Sequence, residues 1–208
     1  MKNIIGLCGF IGSGKGTVAN ILVSDYNFVE DSFAATLKDA VAAVFGWPRH
    51  LLEGNTDESR SWREQVDPWW SERLGKSITP RWALQQWGTE VCRKGFHDDI
   101  WIASLERKLS SSDSRVVIAD CRFPNEIEMI KRLGGDVWRV RRGDEPDWYD
   151  HAINFNQGEH HLGWALGRHH LENQGIHASE YSWVGSAFDK VIDNDSSVDD
   201  LRTIIETI

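Results

Sequence analysis

Cysteine is scarce in this chain, with Cys8, Cys92 and Cys121 the only ones among 208 residues. They are too few and too widely spaced for a disulfide-stapled scaffold, and they fit a reducing cytoplasm. Cys8 and Cys121 fall in apolar, strand-like runs and read as packing residues. Long apolar runs are missing too. No stretch approaches the ~20 residues that a membrane-spanning helix needs. Ile4 to Ile11 is apolar but carries no cleavage pattern, so it is not read as a signal peptide. Positive charge is also in deficit. A net charge of −9 and the lack of a basic stripe argue against broad binding to nucleic acid or anionic membrane. A small phosphorylated ligand is not excluded, because it needs only a few local cations. Internal repeats and low-complexity tracts are absent.

What is present begins with Gly-Phe-Ile-Gly-Ser-Gly-Lys-Gly-Thr at Gly9 to Thr17. The apolar run Ile4 to Cys8 before it reads as a buried strand, and Val18 to Val23 after it has helical spacing. Strand, glycine-rich loop, lysine and helix together form a phosphate cradle. The glycines of Gly12, Ser13, Gly14, Lys15, Gly16 and Thr17 let backbone N–H groups approach phosphate oxygens. Lys15 adds a positive charge, and the helix start adds about 0.3–1 kcal/mol of dipole attraction. The usual pattern places a hydroxyl directly after the lysine as a magnesium ligand. Here Gly16 takes that place and the hydroxyl follows on Thr17. This Gly-Lys-Gly-Thr form resembles that of nucleoside monophosphate kinases of the adenylate kinase type, in which the hydroxyl meets phosphate or metal-bound water.

Forty per cent hydrophobic content and 208 residues predict one domain with a real core. The spacing predicts strands at 28–33, 116–119, 137–140 and 190–192. It predicts helices at 34–45, 81–93, 100–109, 124–133 and 198–208. Strands alternating with helices imply a parallel sheet covered on both faces. Residues 49–79 read as loops with short helical pieces, and 144–180 as a polar, histidine-rich lid. Tryptophan is in excess, with eleven. Trp47, Trp62, Trp69 and Trp70 lie where periodicity is weak and read first as anchors to the core, with base stacking as the sharper alternative. His160-His161 and His169-His170 lie nine residues apart rather than four and read as solvated lid, so no protein metal site is expected.

A second constellation is Asp120-Cys121-Arg122-Phe123-Pro124-Asn125-Glu126. It follows a predicted central strand, at the end where open α/β sheets bind ligands. An aspartate there holds metal-bound water or substrate, and an arginine neutralises phosphate charge. Lys38 and Arg81 are further basic positions on predicted helices. Gly88 sits inside a helix at a cost of ~1 kcal/mol, which points to a close approach.

These segments in their order resemble the tailed-phage deoxynucleoside monophosphate kinases, a branch of the P-loop kinases. The resemblance also rests on Leu37-Lys38-Asp39-Ala40, Trp87-Gly88-Thr89-Glu90, Gly134-Gly135, Arg139 to Arg142, His177 to Glu180 and Val191 to Asp195. It implies a three-layer α/β P-loop kinase fold with a central parallel sheet. It also implies one domain over 1–208, with a substrate-side insertion near 47–80 and a lid near 144–180. The implied reaction moves the ATP γ-phosphate to a deoxynucleoside 5′-monophosphate, with magnesium. By resemblance Lys15 and its loop hold ATP. Lys38 and Arg81 touch the monophosphate, and Gly88, Thr89 and Trp101 line the nucleoside pocket. Asp120, Arg122 and Glu126 surround the reacting phosphate, and Glu180 closes the site. Lys15, Arg122 and Asp120 are the expected catalytic set. Arg141 or Arg142 is expected on ATP phosphate or, equally, at the surface. The implied partners are small molecules in a (host) cytoplasm, with pairing into a homodimer left open.

Two other classes stay open on the residues alone. One is a P-loop kinase for another small anionic acceptor, such as a ribonucleotide or a sugar acid. The other is a nucleotide-hydrolysing switch, which lacks support because Val191 to Asp195 contains no Asn-Lys-x-Asp motif.

Overall fold

The computed structural model describes residues 4–206, so Thr207 and Ile208 at the end of the expected last helix lie outside it. The chain order is β1 (Ile4–Cys8), α1 (Lys15–Tyr26), β2 (Val29–Asp31), α2 (Ala35–Phe45), a 3-10 turn (Arg49–Leu52), α3 (Asp57–Glu64) and α4 (Pro68–Leu74). Then come α5 (Pro80–Gln85), a π-helical segment (Gln86–Lys94), α6 (Ile100–Ser110), β3 (Val116–Ile118), α7 (Pro124–Arg132) and β4 (Asp136–Arg141). The chain closes with α8 (Tyr149–Asn156), α9 (Trp164–Asn173), α10 (Ala178–Tyr181), β5 (Lys190–Asp193) and α11 (Val198–Glu206). It divides into two compact units, one of Met1–Ser32 with Ser112–Ile208, the other Phe33–Ser111.

The first unit is a five-stranded parallel sheet in the order β2-β3-β1-β4-β5. The central strands are unbroken apolar runs because both of their faces are covered; β1 and β3 are buried throughout. Side chains alternate between the two faces. Ile5, Leu7, Val117, Trp138, Val140 and Ile192 pack with Val18, Ile21 and Leu22 of α1 and Leu201 and Ile205 of α11. On the opposite face Ile130 of α7 lies against Gly6 and Val137. Helices on both faces make the three-layer α/β fold anticipated above. The strand order reverses at β1, so β1 is the topological switch point, where α/β sheets bind ligands beyond the carboxyl ends of their strands.

The second unit is helical. Leu37, Val41, Trp47, Leu52, Ile78 and Ala83 form its core, with Phe45, Trp62, Trp70, Trp82, Trp87 and Trp101 packed against it. Thr56, Asp67 and Thr79 cap α3, α4 and α5 by accepting backbone N–H groups, and Pro68 and Pro80 start the last two. The expected single helix at 81–93 is instead a short α-helix that widens into π geometry at Gln86. The segment read as polar lid, 144–180, carries three helices, with α8 packed on α9.

Candidate active site

The loop between β1 and α1 is held in shape from several sides. Gly9 and Gly14 have φ of 147° and 97°, in the region that favours glycine. A side chain at Gly14 would collide with Asn194, whose Nδ2 donates to the Ser13 carbonyl at 2.9 Å. Asn194 is buried and follows β5, so the far edge of the sheet fixes the loop. Lys15 Nζ donates to the carbonyls of Gly9 and Phe10 at 2.6 and 2.8 Å. An ammonium has three donors, so one remains for a ligand while the other two hold the loop. Ser13 Oγ is buried with no hydrogen-bond partner. The first turn of α1 has no acidic residue and no side-chain cap. A Cβ at Gly12 or Gly16 would meet open space. An orphaned hydroxyl, uncapped N–H groups and a cation fit a phosphate chain.

Three sequence-predicted residues converge beside this loop. Arg122 Nη1 donates to Glu180 Oε1 at 3.2 Å and to Ser179 Oγ at 3.4 Å. Burial, and after it the Arg122 charge, pull Lys15 from 10.5 down to about 8, with Cys8 and Glu180 opposing. Lys15, Arg122 and Glu180 therefore share one electrostatic neighbourhood. Asp120 comes two residues after β3, and the Gly6↔Ile118 register carries that stretch alongside the start of the loop. Cys121 is buried beside Cys8; the hydrogen bond between the two thiols and burial push it well up, so it is no nucleophile at neutral pH. Glu126 is buried and turned onto the backbone, accepting from the N–H groups of Arg122 and Phe123 at 2.7 and 3.0 Å. It shapes the loop that carries Arg122.

The remaining predicted residues lie in the helical unit. Lys38 pairs with Glu53 at 2.6 Å, and Arg81 with Glu64 at 3.1 Å. Trp101 Nε1 donates to the Gly88 carbonyl at 3.0 Å. A Cβ on Gly88 would sit 2.7 Å from Leu37 Cδ2, so the close approach inferred from the sequence is to α2. Thr89, next along, is exposed. Trp47 is buried, stacks on Phe45 at 4.3 Å and donates to Asp67 Oδ2 at 2.7 Å. Trp62 and Trp70 pack around it, whereas Trp69 is 63% exposed. The anchor reading thus describes three of the four.

No family model matches the chain. Among curated proteins, it is 34% identical over 153 residues to a protein of Acanthamoeba polyphaga mimivirus described as a "Putative deoxynucleotide monophosphate kinase", covering 67% of this chain and 74% of that one. The chain belongs to the deoxynucleotide monophosphate kinase family. It is also 28% identical over 181 residues to the deoxynucleoside-5'-monophosphate kinase of Escherichia phage T5, covering 63% of this chain and 72% of the phage protein. Among solved structures, dephospho-CoA kinase from Campylobacter jejuni aligns with a TM-score of 0.45 at 16% identity, over 99% of this chain and 97% of its own.

Three features of this kinase escaped the sequence reading. Asn194 was visible only as part of the Asp193-Asn194-Asp195 tail. Phe10, inside the loop, packs on Trp148 and Trp183 with ring centroids 5.3 and 4.8 Å apart. Arg139, buried on β4, pairs with Glu145, donates to Tyr149 Oη at 2.7 Å and lies over the Trp183 ring. Phe10 ties the histidine-rich segment to the phosphate loop, and Arg139 ties it to β4. Arg141 is exposed and pairs with Asp193 at 2.7 Å, and Arg142 is exposed. Among the described residues no helix is long and apolar enough to cross a membrane.

Proposed function

We propose that this kinase transfers the γ-phosphate of ATP to a deoxynucleoside 5′-monophosphate and yields the diphosphate. The observation that carries this reading is the Lys15–Arg122–Glu180 charge cluster at a phosphate-shaped loop, in a member of this family. ATP with magnesium, when bound, supplies the phosphoryl group and part of the charge neutralisation. The loop N–H groups, Ser13 Oγ and Lys15 would hold its phosphates. Thr17 and Asp120 are the protein oxygens that would reach the metal or its water, and most of its ligands would come from phosphate and water.

The acceptor phosphate is already nucleophilic, so no strong general base is required. The protein aligns two anionic groups and offsets the charge spread over the transferring oxygens. Arg122 serves this role: it is half-exposed, so its ion pair with Glu180 is weak and exchangeable for a phosphate. Glu180 then orients Arg122 until the donor and acceptor arrive. In the helical unit, Lys38 and Arg81 take the monophosphate, and Gly88, Thr89 and Trp101 form the nucleoside wall. Segment 144–180 acts as the lid that excludes water, a competing acceptor.

The test is ADP release from ATP and magnesium with dGMP, dTMP, dCMP and dAMP offered singly beside their ribose counterparts. Release driven by deoxynucleotides, with a matching diphosphate, supports the reading. Release that no monophosphate stimulates overturns it.

A further inference from the structure

The helical unit contains an arginine that, among the described residues, no carboxylate meets at ion-pair distance. Arg63, on α3, makes no hydrogen bond or ion pair among the described residues, and its Nε is shut off from solvent. Its guanidinium lies across Gly54: a Cβ there would fall 1.9 Å from Nη2 and 2.1 Å from Cζ. The neighbouring cations differ. Lys38 and Arg49 share Glu53, Arg49 also holds Asp39, and Arg60 holds Asp57. Arg81 has Glu64, but both are more than half exposed, and such pairs are weak. Burial, and next the Arg81 charge, pull the Arg63 guanidinium below its ordinary value, with Glu64 and Glu53 opposing more weakly and Arg60 adding to the pull. A guanidinium stays charged in proteins, and a half-buried one with no paired counter-ion is completed by an anion that reaches its open edge.

We propose that Arg63 is a further binding residue for the 5′-phosphate of the monophosphate substrate. The inference rests on the kinase reading above. Arg63 is linked to both residues that the family resemblance gives to that phosphate. Glu53, next to Gly54, carries Lys38, and the Arg81 charge acts directly on Arg63. A phosphate dianion accepts two parallel N–H bonds from a guanidinium fork. It would also offset the Arg63–Arg81 repulsion and free Arg81 from its exposed partner. Gly54 serves the site by leaving room for the fork to lie flat. The sequence concealed this, because 49–76 has no firm counterpart in the family pattern.

The test uses steady-state kinetics on the full chain, with Tm measured alongside. The deoxynucleotide is the one that the wild type phosphorylates best. For Arg63→Gln, the KM for the deoxynucleotide rises by about tenfold or more, the loss of one charge-assisted hydrogen bond. The KM for ATP and the Tm stay near wild type. Arg63→Lys keeps the charge and stem but loses the fork, so it falls between; it decides the matter if the glutamine variant does not fold. Tryptophan-fluorescence titration with the deoxynucleotide and its unphosphorylated deoxynucleoside gives a second readout. Wild type prefers the phosphorylated form, and Arg63→Gln loses most of that preference. An unchanged deoxynucleotide KM, or both KM values rising together as Tm falls, overturns the proposal while the kinase reading stands. A wild type that phosphorylates no monophosphate overturns both.

Discussion

The phosphate loop of the sheet unit and the helical unit handle charge differently. In the sheet unit, Lys15 is folded onto main-chain carbonyls and Glu126 onto main-chain amides. Asn194 grips the Ser13 carbonyl. Around the loop, charge and polarity are pinned to a backbone that the parallel ladder already fixes, while Arg122, Arg139 and Arg141 of the same unit pair with carboxylates. In the helical unit, Lys38, Arg49, Arg60 and Arg81 reach chiefly other side chains, and tryptophans pack around an aliphatic core with Trp47 in it. A backbone-pinned site suits a ligand common to many enzymes, such as a phosphate chain.

The largest test of this contrast is Lys15→Met. Activity should fall by about 10³-fold or more, since preorganised charge at a transferring phosphate is worth that much. The same change should raise Tm at neutral pH. The folded-state value of Lys15 is lowered from 10.5 to about 8, so below pH 8 the folded chain bears a buried ammonium at a cost. Between pH 8 and 10.5 the unfolded chain binds more protons, so this cost is relieved as pH rises. The stabilisation by Lys15→Met is therefore full below pH 8 and fades towards pH 10.5. Melting curves of both proteins across that range check it. A variant less stable at pH 7 would mean that Lys15 is structural support first.

In the helical unit the comparable change is Trp47→Ala. It removes a buried ring stacked on Phe45 and leaves Asp67 Oδ2 without its indole donor. The expected loss is about 3–5 kcal/mol of stability, read from urea unfolding, with much of the effect recovered in Trp47→Phe. A loss below 1 kcal/mol would remove the tryptophan cluster as the core of that unit and reopen base stacking as its purpose.

What could be read from the sequence follows the same division. Ile4–Cys8 and Val116–Ile118 were legible because a strand buried on both faces must be apolar without interruption. The phosphate loop was legible because its glycines meet a backbone requirement. The helices at 149–181 were not. In α8 and α9 the buried residues are Ala152, Gly167 and Leu171. Gly167 sits so close to the His151 carbonyl that a Cβ would fall 2.4 Å from it. Helices joined through small residues need few large apolar ones, so their periodicity is faint. In the π-helical turn Gly88 seats against Leu37, a contact between residues far apart in the chain. The grouping of Arg122 with Glu180 was available only through family resemblance, since no local pattern links residues 58 apart.

Asn194→Ala tests whether the sheet unit really pins its loop from the far edge. The substitution removes the donor to the Ser13 carbonyl and opens space beside Gly14. The KM for ATP should rise about tenfold, the value of a buried hydrogen bond whose acceptor is left unpaired. The KM for the deoxynucleotide should hold. Equal rises in both would break the division between the units.

The smallest effect is the most specific to Lys15. With its value near 8, the ammonium is mostly charged at pH 7 and half charged at pH 8. The kcat/KM for ATP reports ionisations of the free enzyme, so it should fall about twofold between those pH values and more steeply above them. The kcat/KM for the deoxynucleotide, taken at saturating ATP, should lack this limb, because a bound phosphate chain holds Lys15 protonated. If both profiles bend at the same pH, the titrating group is not Lys15. If neither bends below pH 9, the ammonium is less desolvated, and feels Arg122 less, than its place in the loop implies.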